Sequence, residues 1–65
     1  MELTVNGSQV FTEQGVDVNA LLKQLDLPDE GVAVAIDGMV RPQVRWAEPI
    51  PPFSVVDVLT AVQGG

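Results

Sequence analysis

The 65-residue chain has room for one domain, and at this length only about 60% of the unfolded surface can be buried, so a second domain is excluded and the core is thin. It contains no cysteine and no histidine; this removes disulfides, thiolate and imidazole ligands, thiol nucleophiles and the usual general base near neutral pH, and argues against catalysis by this chain alone. Nine acidic residues against three basic ones give a formal net charge of -6, a field that repels nucleic acid and anionic lipid, keeps a small domain in solution and favours partners with basic surfaces.

Taken in order, the chain opens with Met1-Glu2-Leu3-Thr4-Val5, which has neither a basic lead nor a signal-like apolar run, and no later stretch approaches the roughly 20 apolar residues of a membrane span. A soluble, non-exported, cytoplasmic protein is expected, in keeping with the lack of cysteine. Leu3-Thr4-Val5 and Ser8-Gln9-Val10-Phe11 are β-prone runs separated by Asn6-Gly7, a pair that accepts positive φ at both central positions of a type I′ turn. Alternation places Leu3, Val5 and Val10 inward and Thr4 and Gln9 outward. After Thr12-Glu13-Gln14-Gly15, Asp17 is a suitable N-cap and Val16 can staple onto Leu21. Val18, Leu21, Leu22 and Leu25 then form one apolar helical stripe, and Pro28 is expected to stop the helix after about two and a half turns.

Asp29-Glu30-Gly31 reads as a solvated loop, because two adjacent carboxylates beside a glycine lack the ligand spacing of a calcium loop. Val32-Ala33-Val34-Ala35-Ile36, the turn Asp37-Gly38 and Met39-Val40 predict a second hairpin, with Val32, Val34 and Ile36 facing the helix and Ala33 and Ala35 on the opposite face. Arg41-Pro42 breaks that strand, Trp46 anchors the following segment over the core edge, and the prolines of Pro49-Ile50-Pro51-Pro52-Phe53 predict a stiff, extended connector. Val55 to Val62 is the last strand, long enough for a central position, with Val56 and Val58 inward and Asp57 and Leu59 outward. Leu59 beside Ala33 and Ala35 then forms an apolar patch on a face expected to be polar, which suits partner docking, although a lone exposed leucine is ordinary surface.

The chain ends in Thr60-Ala61-Val62-Gln63-Gly64-Gly65. Two glycines have no Cβ and can thread a channel that any side chain would block, so the Gly65 carboxylate is the candidate reacting group, with Gly64 giving clearance and Gln63 and Val62 an extended lead-in. Glycine-rich ends also occur without function. The expected organisation is an α+β domain over residues 1–61, one helix across a mixed sheet of about five strands, followed by a flexible tail at 62–65.

This order resembles the ubiquitin-like β-grasp, and the whole chain is similar to the ThiS family of sulfur carriers used in thiazole formation for thiamine biosynthesis. The residues that carry the likeness are Asn6-Gly7, the helical Val18, Leu21-Leu22 and Leu25, the run Val32 to Gly38, Trp46 and, most specifically, Thr60 to Gly65. Two local features depart from the family's tendencies: Arg41-Pro42 stands where proline precedes arginine, and Pro51-Pro52-Phe53-Ser54 replaces a Gly-Asp turn. Both bear on the surface beside the last strand and on partner choice. The resemblance implies a carrier and not an enzyme, with no cofactor or metal of its own. An E1-like adenylating enzyme would use ATP to activate Gly65, a sulfur donor such as a cysteine desulfurase would convert it to a thiocarboxylate, and thiazole synthase would receive the sulfur. Leu59, Ala33 and Ala35 would dock these enzymes, and the free carrier is expected to be a monomer that binds neither nucleic acid nor membrane. The same fold and tail also suit the small subunit of molybdopterin synthase or a protein modifier, and a β-grasp interaction domain with incidental terminal glycines is a third reading.

Overall fold

The computed structural model describes residues 1–60. Strands β1 (Glu2–Val5) and β2 (Ser8–Phe11) pair antiparallel with Val5 opposite Ser8, and the intervening Asn6 and Gly7 have φ of 49° and 83°, the two positive values of a type I′ turn. The second hairpin repeats the device: β3 (Val32–Ile36) and β4 (Met39–Val40) are joined by Asp37 and Gly38, with φ of 51° and 82°. Strand β5 (Val55–Thr60) lies between the hairpins, parallel to β1 and antiparallel to β3, giving the sheet order β2-β1-β5-β3-β4. The central position expected for the last strand is the observed one. The strand is described only as far as Thr60, and the expected extension through Ala61 and Val62 and the boundary between a domain at 1–61 and a tail at 62–65 lie outside the described residues.

Helix α1 (Val18–Gln24) crosses one face of this sheet, so the architecture is a five-stranded mixed sheet with one helix, a ubiquitin-like β-grasp. Its N-terminus is capped as expected, the Asp17 carboxylate accepting the Ala20 N–H at 2.8 Å. Its C-terminus is not where the sequence pattern puts it. The helix closes at Gln24, before Pro28 can act, because Asp26 adopts a left-handed φ of 56°. The Leu27 N–H then donates to the Leu22 carbonyl at 2.8 Å and the Asp26 N–H to the Lys23 carbonyl at 3.1 Å, the bonding pattern of a Schellman cap. Leu25, at the cap, is consequently only half-buried, while Val18, Leu21 and Leu22 are buried. No helix of the described residues is long and apolar enough to cross a membrane.

The core is formed where α1 meets the inward residues of the sheet: Leu21 and Leu22 against Leu3, Val34, Val56 and Val58. Trp46 closes one edge, buried as expected after the 3₁₀ turn Gln43–Arg45, with its Nε1–H donating to the Arg41 carbonyl at 3.0 Å. The proline-rich connector has no helix or strand, yet it is more than a surface spacer. Ile50 is one of the most buried side chains, its N–H donates to the Val16 carbonyl at 2.8 Å, and Pro49 forms an isolated bridge with Asp17. Three prolines mask this core position in the sequence, because they break the periodicity that would mark it as buried. Ser54 is buried too, with its hydroxyl donating to the Pro51 carbonyl at 2.6 Å.

Candidate functional site

Successive residues of a strand point to opposite faces, so the same strands that fill the core also build the sheet's uncovered face. The pairings Ala33 with Leu59, Ala35 with Asp57, and Ala35 with Val40 place these five residues side by side there. Leu59 is 69% exposed and Ala33 is exposed, while Ala35 is half-buried between its neighbours. The structure therefore brings together the three residues expected to dock a partner. It also adds two. Val40, 72% exposed, continues the patch across β3 to the edge strand, and Val55, opposite Thr4, continues it along β5. The signal for Val40 was available: a two-residue turn at Asp37-Gly38 fixes Ile36 opposite Met39 and hence Ala35 opposite Val40.

The polar members of this face are Glu2, Thr4, Gln9 and Asp57, and none of the chain's basic residues joins them. Lys23 is on the helix. Arg41 donates from Nη1 to the Glu48 carbonyl at 2.7 Å, and Arg45 grips the Glu48 carboxylate with Nε at 2.8 Å and Nη2 at 3.0 Å. That exposed pair holds the Glu48 carboxyl below its ordinary range, chiefly through the hydrogen bond, and raises Arg45 by the same contact. The uncovered face is thus apolar with acidic members, and suits a partner whose apolar patch is rimmed by lysine or arginine.

The end of β5 adjoins this face. Its final pairs, Leu59 with Ala33 and Thr60 with Val32, tie it to β3, and Val58 is also held from the other side by the Asn6 side chain, whose Oδ1 accepts the Val58 N–H at 2.8 Å while Nδ2 donates to the Val58 carbonyl at 3.2 Å. The expected working residues Val62, Gln63, Gly64 and Gly65 follow in the sequence and lie outside the described residues.

Among the described residues no group of three acidic side chains is placed to hold a metal ion. Two open depressions lie beside α1, one lined by Asn19, Leu22, Lys23, Leu27 and Asp29 and another by Glu13, Val16, Asp17 and Gln24. The first sets one lysine and one carboxylate on an open surface with no hydroxyl or thiol nucleophile, and the second holds carboxylates with no basic side chain, so the sheet face and the end of β5 are the stronger candidate.

Comparison with known proteins agrees with this geometry. The family model described as "ThiS family" matches residues 1–65. The crystal structure of the thiamine biosynthesis protein ThiS from Geobacter metallireducens superposes with a TM-score of 0.82 at 29% sequence identity, covering 100% of this chain and 100% of that one. A solution NMR structure of a thiamine biosynthesis protein from the same organism gives a TM-score of 0.77 at 29% identity, covering 100% of this chain and 88% of that one. No curated protein sequence matches the chain.

Proposed function

The chain belongs to the ThiS family, and from that premise we propose that it is a sulfur carrier whose Gly65 carboxylate is activated, converted to a thiocarboxylate and used to deliver sulfur for thiazole formation in thiamine biosynthesis. The observation that carries this reading is the match of the family model over residues 1–65, a span that includes both the described fold and the Gly64-Gly65 end.

The chemistry divides cleanly between carrier and partners. A carboxylate is a poor electrophile, so an E1-like enzyme must first make it one: a Gly65 carboxylate oxygen attacks the α-phosphorus of ATP, pyrophosphate departs, and an acyl-adenylate remains. The outer sulfur of a persulfide on a donor such as a cysteine desulfurase then attacks the acyl carbon, the C–O bond to AMP breaks and AMP leaves. A thiol reductant attacks the donor-side sulfur of the resulting acyl disulfide, so that the S–S bond breaks, the donor is left in a new disulfide and the carrier keeps a terminal thiocarboxylate. Thiazole synthase is the acceptor. The carrier binds no cofactor in this scheme, and ATP belongs to the activating enzyme.

What this chain contributes is presentation. β5 is braced by strands on both sides at its start and runs towards the tail, while Leu59, Ala33 and Ala35, extended by Val40 and Val55, give the partner enzymes an apolar surface to seat on. Gly64 leaves the channel wall free of a Cβ clash.

A strain that lacks its own thiazole sulfur carrier but keeps the partner enzymes provides the test. Expression of this chain should restore growth without added thiazole, and the chain lacking Gly65 should not. Equal rescue by both would overturn the reading, as would failure of the intact chain when supplied together with its cognate activating enzyme and thiazole synthase.

A further inference from the structure

Strand β1 accompanies β5 only briefly. Their parallel register covers Thr4 with Val55 and Val5 with Val56, and then Asn6-Gly7 turns the chain back into β2. β5 continues to Thr60, paired on its other side with β3. On the side that β1 has left, Asn6 takes over: its backbone N–H donates to the Val56 carbonyl at 2.9 Å, and its side-chain amide then satisfies both the N–H and the carbonyl of Val58, at 2.8 and 3.2 Å, across 52 residues of sequence.

A primary amide presents an acceptor and a donor side by side, as a peptide group of a neighbouring strand does. Only the observed orientation of the amide matches both groups of Val58, because the flipped one would set donor against donor and acceptor against acceptor. The turn itself does not require this side chain. A type I′ turn needs positive φ at its first central position, which glycine supplies as readily as asparagine. A Cβ-less residue would therefore keep the hairpin and lose only the contact with β5.

We propose that Asn6 is a positioning residue for the carrier reaction: its amide extends the two-sided support of β5 by one rung beyond the end of β1, and so sets the direction in which Val58, Leu59 and Thr60 deliver the reacting end of the chain. This rests on the sulfur-carrier reading. Gly65 follows Thr60 by five residues. A strand end held on one side only opens locally at low free energy, and any spread in its direction must be removed when a partner's channel receives the carboxylate.

Three variants of the full chain test the assignment: Asn6→Gly, which keeps the turn and removes the amide; Asn6→Asp, which keeps the acceptor for the Val58 N–H and loses the donor; and Leu25→Ala, which lowers stability at the far end of the helix. Amide exchange of Val58 followed by NMR reports the support, and kcat/KM for thiocarboxylate formation with the activating enzyme and a sulfur source reports its purpose. Asn6→Gly should speed Val58 exchange roughly tenfold with Leu3 and Val34 unchanged, as expected for loss of two hydrogen bonds at a strand end. It should lower kcat/KM roughly five- to tenfold, Asn6→Asp by less, while Leu25→Ala leaves kcat/KM unchanged at a temperature where all are folded. Unchanged Val58 exchange in Asn6→Gly, an undiminished kcat/KM, or an equal loss in Leu25→Ala would each overturn the positioning role. A wild-type chain that forms no thiocarboxylate would instead overturn the carrier reading and the role with it.

Discussion

The two faces of the sheet are made from the same strands and differ by one residue of phase. On the face beneath α1, Leu3, Val34, Val56 and Val58 are buried; on the other, Val55, Leu59 and Val40 are 46%, 69% and 72% exposed. The first set explains why the chain folds. The second set is comparably apolar and gains little from folding, so its composition points to contacts made with other proteins. Similar hydrophobicity in one-dimensional sequence thus lies on both faces, and alternation along each strand buries one set while leaving the other exposed.

The contrast breaks most visibly at the core. Leu21→Ala removes a fully buried side chain from the centre of α1 and should cost roughly 3 kcal/mol, a large share of the stability of so small a domain, seen as a lower urea midpoint. A similar loss from Leu59→Ala would contradict the division of labour between the faces.

A second pair of substitutions acts through the backbone. Phe53 holds a φ of 62° while its side chain is 76% exposed, and Asp26 holds 56° at the helix cap. Neither strain is repaid by burial. Phe53→Gly and Asp26→Gly should each stabilise by about 0.5–1 kcal/mol, measured by chemical denaturation. Phe53 lies in the segment that departs from the ThiS tendency towards a Gly-Asp turn, and among the described residues its exposure leaves the aromatic side chain without a structural explanation.

Leu59→Ala acts on the uncovered face. Its effect on stability should stay within about 0.5 kcal/mol, as for other exposed positions, while affinity for the activating enzyme falls roughly tenfold. Titration of a labelled carrier with that enzyme reads the second number. The smallest effect belongs to Glu48, exposed and paired with Arg45. Because its folded pKa is depressed, its contribution is present above the unfolded pKa and disappears as pH falls through the folded value. Glu48→Gln should therefore flatten the acid limb of the stability profile only slightly, since an exposed pair is screened by solvent.

Much of the fold was legible because local and distant requirements agree. Asn6-Gly7 and Asp37-Gly38 name their turns, alternation then sets both hairpin registers, and Asp17 names the helix start. Where a residue acts against its usual habit, the sequence misleads. Asp26 ends the helix in a conformation more often given to glycine or asparagine, so Pro28 takes the credit in a pattern-based reading. Ile50 is hidden among prolines although it is core. At the candidate site, Leu59, Ala33 and Ala35 follow from alternation alone. The second use of Asn6 does not, since a side chain that reaches 52 residues along the chain leaves no periodic trace.

A sulfur carrier must hold sulfur at the end of its chain. The most direct measurement is the intact mass of the protein after incubation with its activating enzyme, ATP and a sulfur source, with the chain lacking Gly65 in parallel. The predicted result is a mass gain equal to the exchange of one oxygen for one sulfur in the intact chain and none in the truncated one. No gain in the intact chain, or the same gain in both, would contradict it.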